Sequence, residues 1–473
     1  MSEFERDMKS SGMTVVHSDH EIAVIDTVPP PSLPHTLPHS DENDAMIDTL
    51  PHSHTDDTQF VERTLHFNDS LDFIQTSVNV CTRTSAIHHT RPLNLETANH
   101  IIAMSLALVM HHANQAHSNT RSPTAVNEGV KKCVVLGAGG CIFPIILSSL
   151  LPSHTHIHAI ELSEAVTHAA LQYFGVSPYV KNITDFPTVN ITASQQQICS
   201  GVMSSANQFH LHQGCGIEWM AKEVNQTESS NFDMIFVDIF DGDIDKDSSV
   251  SDSEPVVTER ITNTLIHDAT QVDEHDGKCR SGSECEGEEM SGTSFLPAAS
   301  ELFIPSKNIF NKDNILLLTH ALNSDGGLLA INTVGNLQAI EGAAQWLDTV
   351  LNKECSSETS SERVRYHVGF MKVPIVLDEE VEECSSGGAK KKKKKKEKSG
   401  FVRRDNVVLF IVKNPSIHMS SSEFEKSLKS YLATHPATHS PAHSSTHIPL
   451  PFADEKVAPY IAKWISMYTT VNE

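Results

Sequence analysis

The chain has 473 residues and a formal net charge of −25, from 35 basic and 60 acidic residues. That balance argues against a general nucleic-acid binder, with a local basic patch left open, and no apolar run reaches the roughly 18 residues of a membrane-spanning helix. Apolar residues make up 39% of the chain, so part of it is expected to lie outside any core. Nine cysteines without a CxxC pair suit a reducing compartment, and MSEFERDMKS has no apolar core of a signal peptide. A cytoplasmic location is expected, with a nuclear one open through the lysine run Lys390 to Lys396.

Residues 1–58 are rich in Pro, His, Ser, Thr and Asp and are predicted to be disordered. The histidines His35, His39, His52 and His54 have no Cys or carboxylate at fixed spacing, so no metal site is assigned. Residues 59–112 form a second unit: a hairpin around Leu65 and Ile74, then one helix from Leu95 to His111. The polar stretch Ala113 to Glu128 is predicted to be a loop. Residues 113–413 are the main domain, with insertions at 184–205, 242–293 and 377–400. Residues 414–473 are a helical extension, with helices at Ser422–Leu432 and Val457–Tyr468.

The centre of the main domain is KKCVVLGAGGCIFPIILSSLLPSHTHIHAIEL, Lys131 to Leu162. A short apolar strand leads into Gly137, Gly139 and Gly140. A helix from Ile142 follows, then a second strand ending at Glu161. This order is the first half of a nucleotide-binding doubly wound sheet. Ile142 stands where a dinucleotide turn places its third Gly, which turns the reading toward adenosine carrying an uncharged or cationic group. S-adenosylmethionine (SAM) is such a ligand.

Strands at Phe209–Gly214, Phe232–Phe240 and Leu328–Val334 alternate with helices at Ile217–Val224, Asn308–Leu322 and Leu337–Leu351. Val364–Val373 and Asn406–Val412 close the fold as an antiparallel pair. The result is a largely parallel α/β sheet with an antiparallel last strand and long disordered insertions. Glu161, Gln213 and Asp238 fall at the carboxyl ends of three consecutive strands, where such sheets bind ligands. Glu161 is assigned to ribose hydroxyls, Gln213 to an adenine amino group, and Asp238 to the place where donor and acceptor meet.

These pieces resemble the spermidine-synthase-like branch of class I SAM-dependent methyltransferases. The nearest resemblance is to the C-terminal domain of elongation factor 1-alpha lysine and N-terminal methyltransferases. It is carried by RTLHFNDSLDFIQTSV, HIIAMSLALVM, VVLGAGGCIFPIIL, HAIELSEAVTHAALQYFGV, FHLHQGCGIEWM, FDMIFVDIFDGD and NVVLFIV, over residues of about 60 to 413. The resemblance implies a Rossmann-like seven-stranded fold and a cofactor site of Gln75, Gly137, Gly139, Gly140, Glu161, Leu162, Gln213, Gly214 and Asp238. Asp238 and Asp241 are the implied catalytic pair. It implies methyl transfer to a protein amine, an N-terminus or a lysine, with elongation factor 1-alpha as a candidate partner. Two alternatives stay open: aminopropyl transfer to a polyamine, which the D-x-x-D of Asp238 and Asp241 suits, and a binding module without catalysis.

Overall fold

The computed structural model describes residues 12–28, 60–68, 74–82, 85, 87–88, 95–121, 130–152, 154–184, 209–226, 231–239, 302–304, 309–335, 337–354, 364–373, 405–434 and 458–471. Asp241, the histidines at 35–54, the lysine run and the segments 242–293 and 377–400 lie outside the described residues. Among the described residues, no helix is long and apolar enough to cross a membrane.

The chain builds two sheets. The first is antiparallel, in the order β1 (Met13–Ser18), β2 (Ile22–Thr27), β3 (Phe60–Phe67), β4 (Ile74–Cys81), β5 (Ile87–His88). Residues 13–27 therefore depart from the predicted disorder. MTVVHS and IAVIDT are rich in β-branched side chains, and a turn held by Asp19 joins them. Asp19 Oδ1 accepts the N–H groups of Glu21 and Ile22 at 2.7 and 2.9 Å. Ile22, Ala23, Val24 and Ile25 are all buried, and Asp26 forms a bidentate pair with Arg63 of β3 at 2.7 and 2.8 Å.

The second sheet has ten strands, three more than the expected seven. Its main path runs β15 (Tyr468–Thr470), β13 (Tyr366–Val373), β14 (Asp405–Lys413), β12 (Leu328–Gly335), β10 (Met234–Val237), β6 (Lys132–Leu136), β7 (His156–Glu161), β9 (Phe209–Gln213), β8 (Val180–Thr184). The tenth, β11 (Leu302–Ile304), pairs with β12. From β12 through β10, β6, β7 and β9 to β8 every pairing is parallel. β14 runs antiparallel to both neighbours.

The additional strands β8, β11 and β15 are only three to five residues long, too short for a periodic signal. Thr184, expected to open an insertion, instead ends β8. β15 makes the C-terminal segment part of the sheet rather than a purely helical extension. Its Tyr468 fills the space left by Gly369, where a Cβ would meet the phenol ring, and its hydroxyl lies 3.0 Å from His367 Nε2.

Strand alternation divides the core into two halves. Cys133, Val135, Met234, Phe236, Leu328 and Ala330 face one side; Val134, Leu136, Ile235, Val237, Leu329 and Ile331 face the other. The first side is covered by the antiparallel sheet and by α1 (Leu95–Ser105), α2 (Ala107–Arg121), α3 (Ile142–Leu150), α4 (Glu164–Tyr173), α8 (Ser421–Thr434) and α9 (Ala458–Ser466). The second is covered by α5 (Gly216–Gln226), α6 (Lys312–His320) and α7 (Leu337–Thr349).

The single helix expected over Leu95–His111 is two helices, and the second runs ten residues further. Ser105 Oγ donates to Ile101 O at 2.8 Å, a back-bond that bends helices. Leu106 N–H then reaches only to Ala103 O, and Val109 N–H to Leu106 O. The extension holds because Asn114 accepts the N–H and hydroxyl of Ser416, a contact that helical periodicity does not encode.

On the second face, beside β8, four histidines line up: His156 and His158 on β7, His210 and His212 on β9. His158 stacks on His210 and His212 at 5.2 and 5.3 Å and lies under Trp219. Burial, then the neighbouring histidines and Lys132, pushes its pKa down to about 3. The unfolded chain therefore takes up this proton first, near the ordinary 6.5. Stability is full above pH 6.5 and falls as the pH drops toward 3. Between pH 7.5 and 5 the loss expected from His158 is about 1–2 kcal/mol. Thermal melts across that range should show a shallower acid slope for His158→Gln than for the parent chain.

Candidate functional site

The site lies at the carboxyl ends of the parallel strands, and strand register fixes its plan. Leu136 pairs with Ile160 on one side and Val237 on the other, and Glu161 pairs with Gln213. Gly137, Glu161, Gln213 and Asp238 thus emerge at one edge of the sheet. Asp233, at the opposite edge, is structural. Its Oδ2 accepts the N–H groups of Lys131 and Lys132, and its Oδ1 accepts Asn323 Nδ2.

The Gly turn is tight. Gly137 has φ 82° and Gly139 φ 51°, both left-handed, and the N–H groups of Gly137 and Ala138 donate to Ile160 O at 2.9 and 3.0 Å. Cys141 closes the turn at φ 61°, a conformation a side chain adopts at a cost of ~1–2 kcal/mol. It starts α3 there, and burial, then the nearby Glu161, pushes its thiol pKa up.

Glu161 is 8% exposed and spans the turn and the next helix. Oε2 accepts Gly139 N–H at 2.7 Å, and Oε1 accepts Ser163 N–H at 3.0 Å. Burial raises its pKa, while the backbone donors of Ser163, Gly139 and Leu162 oppose that rise. Glu21, in the turn between β1 and β2, adds to it. Each carboxylate oxygen keeps a lone pair for a further donor. Leu162 follows at 71% exposure, an apolar side chain left uncovered beside a buried acid. Ser163 caps α4 by accepting Val166 N–H at 3.0 Å.

Gln213 ends β9 half-buried, with no hydrogen-bond partner for its side chain among the described residues. Gly214 donates its N–H to Glu161 O at 2.9 Å and has open space around its α-carbon.

Asp238 follows β10 and is anchored by its backbone N–H to Leu136 O at 2.8 Å. Oδ1 accepts Asn332 Nδ2 at 2.8 Å, and Oδ2 lies 3.5 Å from His100 Nε2. Burial pushes its pKa up, but His100 and the Asn332 hydrogen bond outweigh it and hold the carboxyl below the usual range. It is charged at neutral pH.

The antiparallel sheet closes the site from above. Gly140 donates to Thr76 Oγ1 at 2.9 Å, and a Cβ on Gly140 would collide with Thr76. Thr76 joins the site without any sequence signal for it. Its expected neighbour Gln75 is the bulged residue of β4: Leu65 pairs with Thr76 and His66 with Ile74, leaving Gln75 without a partner on β3. Bulges re-aim side chains and are frequent beside sites. The other residues that sequence reasoning misses are His100, Asn332 and Glu21. No local pattern ties them to strand tips far away in the chain.

No family model matches the chain, and no curated protein matches it. Similar solved structures include human methyltransferase-like protein 13 in complex with SAH, at 13% identity over 71% of this chain and 96% of that one, TM-score 0.34. A probable spermidine synthase from Corynebacterium glutamicum is similar at 9% identity over 81% and 88%, TM-score 0.34. The O-methyltransferase from Bacillus cereus in complex with SAH is similar at 9% identity over 64% and 90%, TM-score 0.25. The chemistry of this cleft is read from its own residues.

Proposed function

We propose that the chain is a SAM-dependent methyltransferase whose acceptor is a protein amine, an N-terminus or a lysine. The observation that carries this reading is Glu161. It is a buried carboxylate at a strand tip, held by the Gly-turn N–H of Gly139, with exposed Leu162 beside it and anionic Asp238 two strands away. Glu161 takes the two ribose hydroxyls, and Leu162 lies against the adenine. Gln213 meets the adenine amino group. The acids suit a cationic sulfonium. SAM, when bound, supplies the methyl group; the protein holds donor and acceptor in line.

An α-amino group, with an ordinary pKa of ~8, gives up its proton more readily than a lysine at ~10.4, which favours an N-terminal acceptor. The N-terminus of elongation factor 1-alpha is the first candidate, on the resemblance alone. A polyamine acceptor would need several fixed carboxylates. Instead Gly140 stands in the turn, and α1 presents Asn99, bonded to Asn406 Nδ2 at 3.0 Å, and His100.

Calorimetry with SAM and with its demethylated product tests the reading. Binding is expected for the parent chain, weakened by ~1–3 kcal/mol in Glu161→Ala. No heat with either ligand would sink the assignment. Product formation from putrescine and decarboxylated SAM would move it to aminopropyl transfer.

A further inference from the structure

The charged residue at the strand tips, Asp238, faces a protein partner at each carboxylate oxygen. Asp238 has two carboxylate oxygens. One accepts Asn332 Nδ2 at 2.8 Å, and the other faces His100 Nε2 at 3.5 Å. An ionised carboxylate only accepts, so the Nε2 facing it carries the ring proton. In the neutral imidazole, Nδ1 is then the lone-pair nitrogen, and no described residue donates to it.

The backbone of His100 is also held. The backbone N–H of His100 donates to Asn99 Oδ1 at 2.7 Å, and the same oxygen accepts Asn406 Nδ2 from β14 at 3.0 Å. Asn99 is 1% exposed. An amide pair thus locks the register of α1 against the sheet, and with it the position of His100. The side chain of His100 keeps 14% of its surface exposed and that of Asp238 22%, so neither is sealed off.

We propose that His100 is the proton acceptor of the methyl transfer, and that Asp238 is a positioning residue that fixes its tautomer and steadies the imidazolium. This rests on the methyltransferase reading and moves the catalytic role away from Asp238. A protonated amine gives one proton to His100 Nδ1. Its freed lone pair forms the bond to the methyl carbon while the carbon–sulfur bond breaks, both electrons staying on sulfur. The sulfonium becomes a neutral thioether, the amine gains the methyl group, and His100 passes its proton to water. Asp238 is the charged side chain facing the ring among the residues whose side chains are described.

The test uses the full chain, SAM labelled in the methyl group, and the soluble proteins of a cell extract as acceptors. His100→Ala is expected to bind SAM within about twofold of the parent by calorimetry and to transfer methyl groups ~100-fold more slowly or worse. Added imidazole should restore at least tenfold of that loss. Asp238→Asn should shift the acid limb of the parent's pH–rate profile, and His100→Ala should abolish it. A His100→Ala protein that binds SAM and keeps the parent's rate, or that imidazole does not rescue, overturns the assignment. So does a parent chain that binds SAM yet labels no protein. A parent chain that binds no SAM fails the proposed function itself, which the binding measurement separates from failure of the His100 role.

Discussion

Gly137→Ala is expected to destabilise the fold by ~3 kcal/mol or more and to abolish SAM binding. Gly137 has φ 82°, and a Cβ there would collide with the backbone oxygen of Asp238 and lie 2.7 Å from its carbonyl carbon. The left-handed conformation alone is worth ~1–2 kcal/mol against Ala. The clash is with main chain, which no rotamer change relieves. Asp238 is tied to Leu136 O by its own N–H, so moving it breaks the β6–β10 pairing where the two strands enter the site. Gly342→Ala is the control: it lies in α7 with nothing within 4 Å of its added carbon, and should stabilise by ~0.5–1 kcal/mol. Denaturant unfolding of the two variants checks both signs. Equal, small effects would show that the Gly137 turn tolerates a side chain.

Deleting residues 1–28 should be at least as damaging. Ile22, Val24 and Ile25 are 1%, 0% and 3% exposed, and each such side chain contributes ~1.5–3 kcal/mol when buried. Their sum, ~5 kcal/mol or more, is comparable with the whole stability of an ordinary domain. The deletion also removes Asp26 from Arg63. The Arg63 guanidinium reaches Tyr173 O at 3.2 Å, at the end of α4, the helix that starts beside Glu161. Stability and SAM affinity should therefore fall together in denaturant melts and calorimetry. A truncated chain that melts with the parent and binds SAM as tightly would show the hairpin to be an ornament.

The contrast between Glu161 and His100 shows where the sequence stops being informative. The order strand, Gly turn, helix, strand, acid lies within about thirty residues, and each piece has its own signal. Apolar runs form the strands, glycines meet the left-handed turn, and the residue after the run is the strand tip. Glu161, Gln213 and Asp238 could be placed at one sheet edge because a tip is a local property and parallel strands share a direction. β13 and β14 were expected as an antiparallel pair because little helix was predicted between them, and they pair antiparallel from Tyr366–Lys413 to Val373–Asn406.

What the tertiary structure alone decided lies in pairings across distance. Residues 13–27 read as part of a polar segment because their neighbours dominate the composition, yet β2 finds a buried place against β3. His100 meets Asp238, Asn332 meets the same carboxylate, and Thr76 covers Gly140. None of these residues has a pattern of its own, since a lone His or Asn on a helix or strand satisfies local geometry equally well elsewhere. Their partners are set by the register of whole strands, by one bulge at Gln75 and by an amide pair between α1 and β14. Periodicity reports how a segment folds on itself. Which segments meet is fixed by packing over the entire core, and that information is spread across residues with no neighbouring signal to read.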